Sequence, residues 1–159
     1  MLKLYHGSDI KIDKIDLSLG NKNKDFGKGF FLTSLQQQAE DMAARRVKFS
    51  KNGTPIVTEF MFDDSCLNND NLNVKIFDKV SVEWAQFILQ NRKASSTGFT
   101  HNYDIVIGPV ANDGVVVQLN LFEQQFITIE ELVKRLEYRH LNNQYFFGTE
   151  RSLTYLKRI

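Results

Sequence analysis

Met1-Leu2-Lys3-Leu4-Tyr5-His6-Gly7-Ser8 opens the chain, and Asp25-Phe26-Gly27-Lys28-Gly29-Phe30-Phe31-Leu32-Thr33 follows it. In the first stretch Leu2 to Tyr5 alternates apolar with polar residues and reads as a β-strand running into His-Gly-Ser. A strand that ends in His-Gly sets an imidazole beside backbone without a Cβ, so a flat aromatic ligand can approach the Gly7 amide and carbonyl. The second stretch predicts a glycine-flanked strand from Phe30 to Thr33, with Phe30 and Phe31 on opposite faces of the pleat and one of them free to stack on a ring. Alone, either stretch is an ordinary strand end or turn. Their order and separation together point to a nucleotide pocket.

The rest of the chain builds a domain around these two strands. Asp9 to Gly20 is a structured connection held to the core by Ile10, Ile12, Ile15 and Leu17. Ser34 with Gln37 has the spacing of a capping box and predicts a helix to about Val47, its buried stripe formed by Ala39, Met42, Ala43 and Val47. Pro55 to Phe62 and Asn73 to Phe77 predict strands. Ser81 caps a helix with Trp84, Phe87 and Ile88 on one face, which ends in Gln90-Asn91-Arg92-Lys93 before a loop from Ser95 to Gly98. Tyr103 to Val110 predicts a buried central strand stopped by Gly108-Pro109, and Val115 to Phe122 a further strand. Thr128 and Glu131 form a second capping box, opening a helix with Ile129, Leu132, Val133 and Leu136 on one side. Gln144 to Phe147 is a last strand, and Thr149 to Ile159 a terminal helix with Leu153 and Leu156 inward. This mixed order predicts one α+β domain over residues 1–159 with largely antiparallel strands.

With 159 residues, 42% hydrophobic and 25% charged, the chain has the composition of a globular domain large enough to bury a core without staples. A formal net charge of +1 excludes an overall field drawing it to nucleic acid or acidic lipid, though not a local basic face. The single cysteine, Cys66, fits a reducing compartment, and Asp63 and Asp64 beside it oppose thiolate formation. Met1-Leu2-Lys3 leads straight into a strand rather than a charged and then apolar leader. No apolar run approaches the roughly 20 residues of a membrane span. The expectation is a cytoplasmic protein with no membrane partner. His101 and His140 stand apart from any Cys or carboxylate at metal spacing, so no zinc site is expected.

Four blocks carry a resemblance: His6-Gly7-Ser8, then Asp25 to Thr33, then Ile107-Gly108-Pro109-Val110-Ala111, then Gln144-Tyr145-Phe146-Phe147-Gly148-Thr149-Glu150. On them the chain resembles the ADP-ribosyltransferase superfamily, in the histidine-type branch that includes diphtheria toxin and the poly(ADP-ribose) polymerases. It is similar, more closely still, to a family of small bacterial domains of unknown function related to those transferases. The resemblance implies an ADP-ribosyltransferase-like split antiparallel β core with flanking helices, NAD as co-substrate, and mono-ADP-ribosyl transfer by a toxin or effector. The acceptor would be a protein, a nucleic acid or a small molecule, and a toxin would have a neutralising partner. A noncatalytic NAD or ADP-ribose-binding module and an NAD glycohydrolase are the alternatives.

The resemblance also assigns roles. His6 would bond a ribose hydroxyl, and Gly7 would pair through its backbone with the nicotinamide amide. Ser8 would either add a contact or cap the next turn. Lys28, in the loop with Gly29, would steer the pyrophosphate or be simply solvated. Phe31 takes the place of a stacking tyrosine. Gln144 stands where the polymerase-like pattern has glutamate, and a neutral amide can hold a hydroxyl but gives no full charge to an oxocarbenium ion. Either the transfer is slow, or Glu150 or Asp113 supplies a carboxylate, or the pocket only binds. Against these roles, Thr149-Glu150 fits a helix start, Asp113 a turn, and Arg92 a solvated helix end rather than a phosphate clamp. All of this requires the His6 imidazole and the Phe31 ring to border one cleft.

Overall fold

The computed structural model describes residues 1–137, 139 and 141–159. β1 (Leu2–Ser8) pairs along its whole length with β3 (Ile56–Phe62), but meets β2 (Phe30–Thr33) at a single register position, Tyr5 opposite Thr33. β2 continues to β6 (Asn143–Phe147), β6 to β5 (Ile105–Pro109) and β5 to β4 (Val74–Ile76), while β7 (Leu156–Arg158) closes the other edge beside β3. The order is β4-β5-β6-β2-β1-β3-β7, antiparallel except between β4 and β5. This is an α+β fold whose seven-stranded sheet has two halves hinged at the Tyr5–Thr33 pair.

The two-residue period of β5 and β6 divides the core between the two faces of the sheet. Val106 and Phe146 point into a cluster with Phe26, Trp84, Ile88, Leu119, Leu132 and Leu136, under the helices α2 (Val82–Arg92), α4 (Asp113–Glu123) and α5 (Ile129–Leu136). Ile105, Ile107 and Phe147 point the other way, against Leu4, Leu32, Phe60, Phe62 and Cys66. Trp84 is fully buried, and its indole N–H donates to the Pro109 carbonyl at 3.1 Å, which pins α2 to the end of β5. Local chemistry starts the helices as expected at Ser81, whose hydroxyl accepts the Trp84 N–H, and at Thr128–Glu131, where both capping-box bonds form. Each such cap is worth about 1 kcal/mol.

Several expectations need correction. Val115 to Phe122 lies in a helix, because Asn112 accepts the Val115 N–H at 3.1 Å and Val115 and Leu119, four apart, supply the buried stripe. The capping box at Ser34 is absent: α1 (Gln36–Ser50) begins after Leu35, and the Thr33 hydroxyl accepts the Leu35 N–H while donating to Gln38. Only Ala39 and Ala43 of α1 are buried. Met42 is 44% exposed and Val47 half-buried, since close approach to the sheet selects the small residues. The chain end is no single helix, but a one-turn α6 (Glu150–Leu153) followed by β7, whose ladder to β3 outcompetes helix continuation. The 95–98 segment is mostly a short helix, α3 (Ala94–Thr97), continuing α2 after a break at Lys93. In the 9–20 connection Ile12 and Ile15 pack on the core but Ile10 is exposed.

Candidate functional site

At the hinge between the half-sheets His6 replaces the missing strand ladder. Its Nδ1 lies 2.8 Å from the Phe31 carbonyl oxygen, which can only accept, so Nδ1 carries the proton and donates, and Nε2 is left as an acceptor in the neutral ring. Burial pushes His6 below its ordinary pKa of 6.5, against the opposing pull of the Phe31 carbonyl and with a smaller push from Arg46. The imidazole stacks on Phe30, ring centroids 4.3 Å apart, and Phe30 meets Phe60 edge-on. The Tyr5–Thr33 register puts Phe31 with Tyr5 and Thr33 on one face and His6 with Leu4 on the other. His6 and Phe31 are therefore joined through a main-chain carbonyl, and the ring beside the imidazole is Phe30. The sequence reading set the Phe31 ring and the imidazole at one cleft with Phe30 on the opposite side; the register reverses this, putting Phe30 on the imidazole and Phe31 on the other face of the sheet.

Gly7 faces α1. A Cβ there would come within 1.9 Å of the Ala39 carbonyl oxygen, so the glycine is what lets α1 lie directly on β1. Gly29 answers the same need in the loop before β2, where a Cβ would strike the Phe146 ring at 2.3 Å. Gly7, which the sequence reading gave to ligand approach, and Gly29 beside Lys28 both have packing partners that account for them.

The face carrying Phe31 gathers more polar chemistry. Thr33 is opposite Gln144 in β6, so Gln144, Phe146, Phe31 and Thr33 share that side. Asp25 reaches over it from the preceding loop: its Oδ1 accepts from Arg92 Nε at 2.8 Å, and its Oδ2 lies 3.4 Å from Gln144 Nε2. The side chains of Asp25 and Arg92 are 17% and 27% exposed. Arg92, expected as a solvated helix end, is instead half of this pair. The neighbouring Phe26 packs against Phe31 at 6.5 Å between centroids, and its carbonyl receives His101 Nε2 at 2.7 Å. Gly27, at φ +95°, turns the chain where a Cβ would meet Asn91 and His101. α2 and His101 thus clamp Asp25-Phe26-Gly27 from behind. Asp25 lay inside the quoted block, but nothing in the sequence says that a loop carboxylate and a β6 amide 119 residues apart become neighbours.

The other candidates are dispersed. Ser8 is buried, its hydroxyl accepting the Ile10 N–H at 3.3 Å, as a turn cap does. Lys28 is exposed. Glu150 is an exposed first-turn residue of α6, behind the Thr149 cap. Asp113 begins α4 rather than forming a turn; it is 91% exposed and 3.9 Å from Arg45. Burial and the nearby Asp63 raise the buried Cys66 thiol to about 11. His140 lies outside the described residues. Among the described residues no group of His, Cys, Asp or Glu is arranged to hold a metal, and no helix is long and apolar enough to cross a membrane.

A family model matches residues 2–158. The chain belongs to the DUF3990 family, described as a protein of unknown function. Neither a curated protein nor a solved structure matches it. In this DUF3990 chain an open groove of about 1090 Å³ lies between α2, α3 and the α4–α5 turn, with Leu89, Phe99, Phe122 and Phe126 in its walls. None of the residues gathered around Asp25 and Gln144 lines it. The groove offers one lysine already paired with Glu123 and no set of converging buried polar groups, whereas Arg92, Asp25 and Gln144 converge on the Phe31 face.

Proposed function

We propose that this DUF3990 chain is an NAD-dependent mono-ADP-ribosyltransferase whose site lies over the Phe31 face of β2, between α1 and the clamped Asp25-Phe26-Gly27 segment. The observation that carries this reading is the meeting of three distant blocks in one row: Tyr5 opposite Thr33, Thr33 opposite Gln144, and Asp25 beside Gln144. The donor set fits the co-substrate, since an amide, a carboxylate and a guanidinium can take ribose hydroxyls and offset phosphate charge. In the reaction the bond from ribose C1′ to nicotinamide breaks with its electron pair leaving on nicotinamide. A bond from C1′ to a heteroatom of the acceptor forms, and the acceptor's proton goes to solvent. His6 acts in this reading by holding β1 to β2 at the hinge, which fixes the distance between the Gly7 main chain and Phe31. The chain's own contribution is orientation and the placing of electron-rich oxygen near a positive sugar.

A noncatalytic nucleotide-binding module is the second reading, favoured by the neutral Gln144. Incubation with NAD labelled in its adenylate, with and without cell lysate, separates the two. Transfer of label with release of nicotinamide, both lost in His6→Ala at unchanged far-ultraviolet circular dichroism, supports the transferase. Free labelled ADP-ribose with no modified acceptor makes the protein a glycohydrolase. A saturable thermal shift without turnover leaves the module, and no shift at all removes NAD from the site.

A further inference from the structure

Resting on the reading of this face as an NAD site, we infer that Asp25 is a positioning residue that turns the Gln144 amide so that its carbonyl oxygen faces the substrate. An ionised carboxylate only accepts hydrogen bonds, and Asp25 Oδ1 is already held by Arg92 at 2.8 Å. The amide group nearest Oδ2 therefore has to be the NH2 of Gln144, as the 3.4 Å contact has it. That fixes the side-chain flip and sends Oε1 away from Asp25. Among the described residues Oε1 accepts no hydrogen bond, and Gln144 is only half-buried. The strand row thus presents one oriented acceptor beside Phe31. Such an oxygen can hold a ribose hydroxyl and lay partial negative charge beside a developing oxocarbenium ion. Arg92, entering from the end of α2, keeps Asp25 in place and balances its charge.

On this arrangement a glutamate at position 144 is the wrong residue for this chain, since two carboxylates would face each other across about the same gap. The experiment compares wild type, Gln144→Glu, Asp25→Asn and the double exchange Asp25→Asn/Gln144→Glu, reading nicotinamide release from NAD, with kcat and KM separated, and the melting temperature of each. Gln144→Glu is expected to lose on the order of tenfold to a hundredfold in kcat at little change in KM, the scale of losing one oriented group in a preorganised site. Its residual activity should rise as pH falls, because facing carboxylates share a proton. Asp25→Asn should lose kcat by a similar factor, its amide no longer dictating the flip. The double exchange, with donor and acceptor reversed across the same gap, should recover most of the lost kcat. A merely structural role for Asp25 would move the melting temperature and leave no such rescue. Wild-type turnover with a Gln144→Glu variant equally active overturns the inference alone. Wild-type protein that neither binds nor cleaves NAD overturns the function proposed above and this role with it.

Discussion

Asp104 and Asp25 are both carboxylates gripped by an arginine, and they differ in what is left over. Asp104 precedes β5 with its side chain 1% exposed, and every face of it is used: Oδ1 takes the Thr149 hydroxyl at 2.6 Å and Arg151 Nε at 3.3 Å, while Oδ2 takes the Asn73 N–H at 2.7 Å and Arg151 Nη2 at 2.6 Å. Asp25 has one short bond, to Arg92, and one long contact with an amide. A carboxylate whose lone pairs are all taken can only hold the fold together, here by tying the start of β4, the entry to β5 and α6 into one knot. A carboxylate with acceptor capacity in hand, beside an amide with a free oxygen, has something to offer a ligand. The contrast separates scaffold from site without any appeal to which residue is the more buried.

The largest effect is expected where the bonds are saturated. Asp104→Ala would strand the Asn73 N–H and the Thr149 hydroxyl, and should cost about 3 kcal/mol in urea unfolding. Burial alone would raise the Asp104 pKa, but the bonds from Thr149, the Asn73 N–H and Arg151 outweigh it and hold the group below its ordinary value. The sign follows from the lowered folded value: the unfolded chain binds the proton first as pH falls, so this contribution is whole above the ordinary carboxylate range and is lost on descent through it. Melting temperatures from pH 7 down to 3 should therefore drop in the wild type, with the limb flattened in Asp104→Asn. A limb of unchanged depth in the variant would assign the acid sensitivity to other groups.

His101 stands behind the site and gives the next effect. Its Nε2 donates to the Phe26 carbonyl at 2.7 Å and its Nδ1 accepts the Tyr103 N–H at 3.2 Å, so both ring nitrogens are used only when the ring is neutral. Burial lowers its pKa, outweighing the Phe26 carbonyl. Stability from this group is complete above the unfolded value near 6.5 and declines as pH falls below it toward the folded value, since the unfolded chain takes up the proton more readily there. Native-state hydrogen exchange at pH 5 should show the Tyr103 and Gly27 amides opening faster than at pH 7.5. His101→Gln, which keeps a donor but does not titrate in this range, should remove most of that difference.

How much of this the sequence disclosed depends on whether the signal was local. The strands at Leu2–Ser8, Phe30–Thr33 and Ile56–Phe62 and the helix starts at Ser81 and Thr128 were legible, because alternation and capping act within a few residues. α4 was missed because Val115-Val116-Val117 carries strand propensity, while the deciding features were the Asn112 cap and the four-residue spacing of Val115 and Leu119. Asn112-Asp113-Gly114 looked like a turn for the same reason that it caps a helix: its short polar side chain bonds nearby main chain. Of the candidate site, only the sequence blocks that the fold brings together were legible. That Gly7 answers to Ala39, that Phe30 rather than Phe31 sits on the imidazole, and that Arg92 crosses to Asp25 are consequences of register and of helix placement, which span the chain.

The smallest effect on stability is expected at the residue given the largest role in function. Asp25→Asn leaves Arg92, already 27% exposed, able to reach water, and leaves an amide that can still accept from its guanidinium. The loss in urea unfolding should be about 1 kcal/mol or less, in line with a partly solvated ion pair. Asp104 and Asp25 would then fall on opposite sides of a plot of stability loss against loss of nicotinamide release. If Asp25→Asn instead unfolds the chain as readily as Asp104→Ala, the loop carboxylate is scaffold like its counterpart. The clamp formed by Asn91, Arg92 and His101 would then exist to pack Phe26 against Phe31 rather than to aim Gln144.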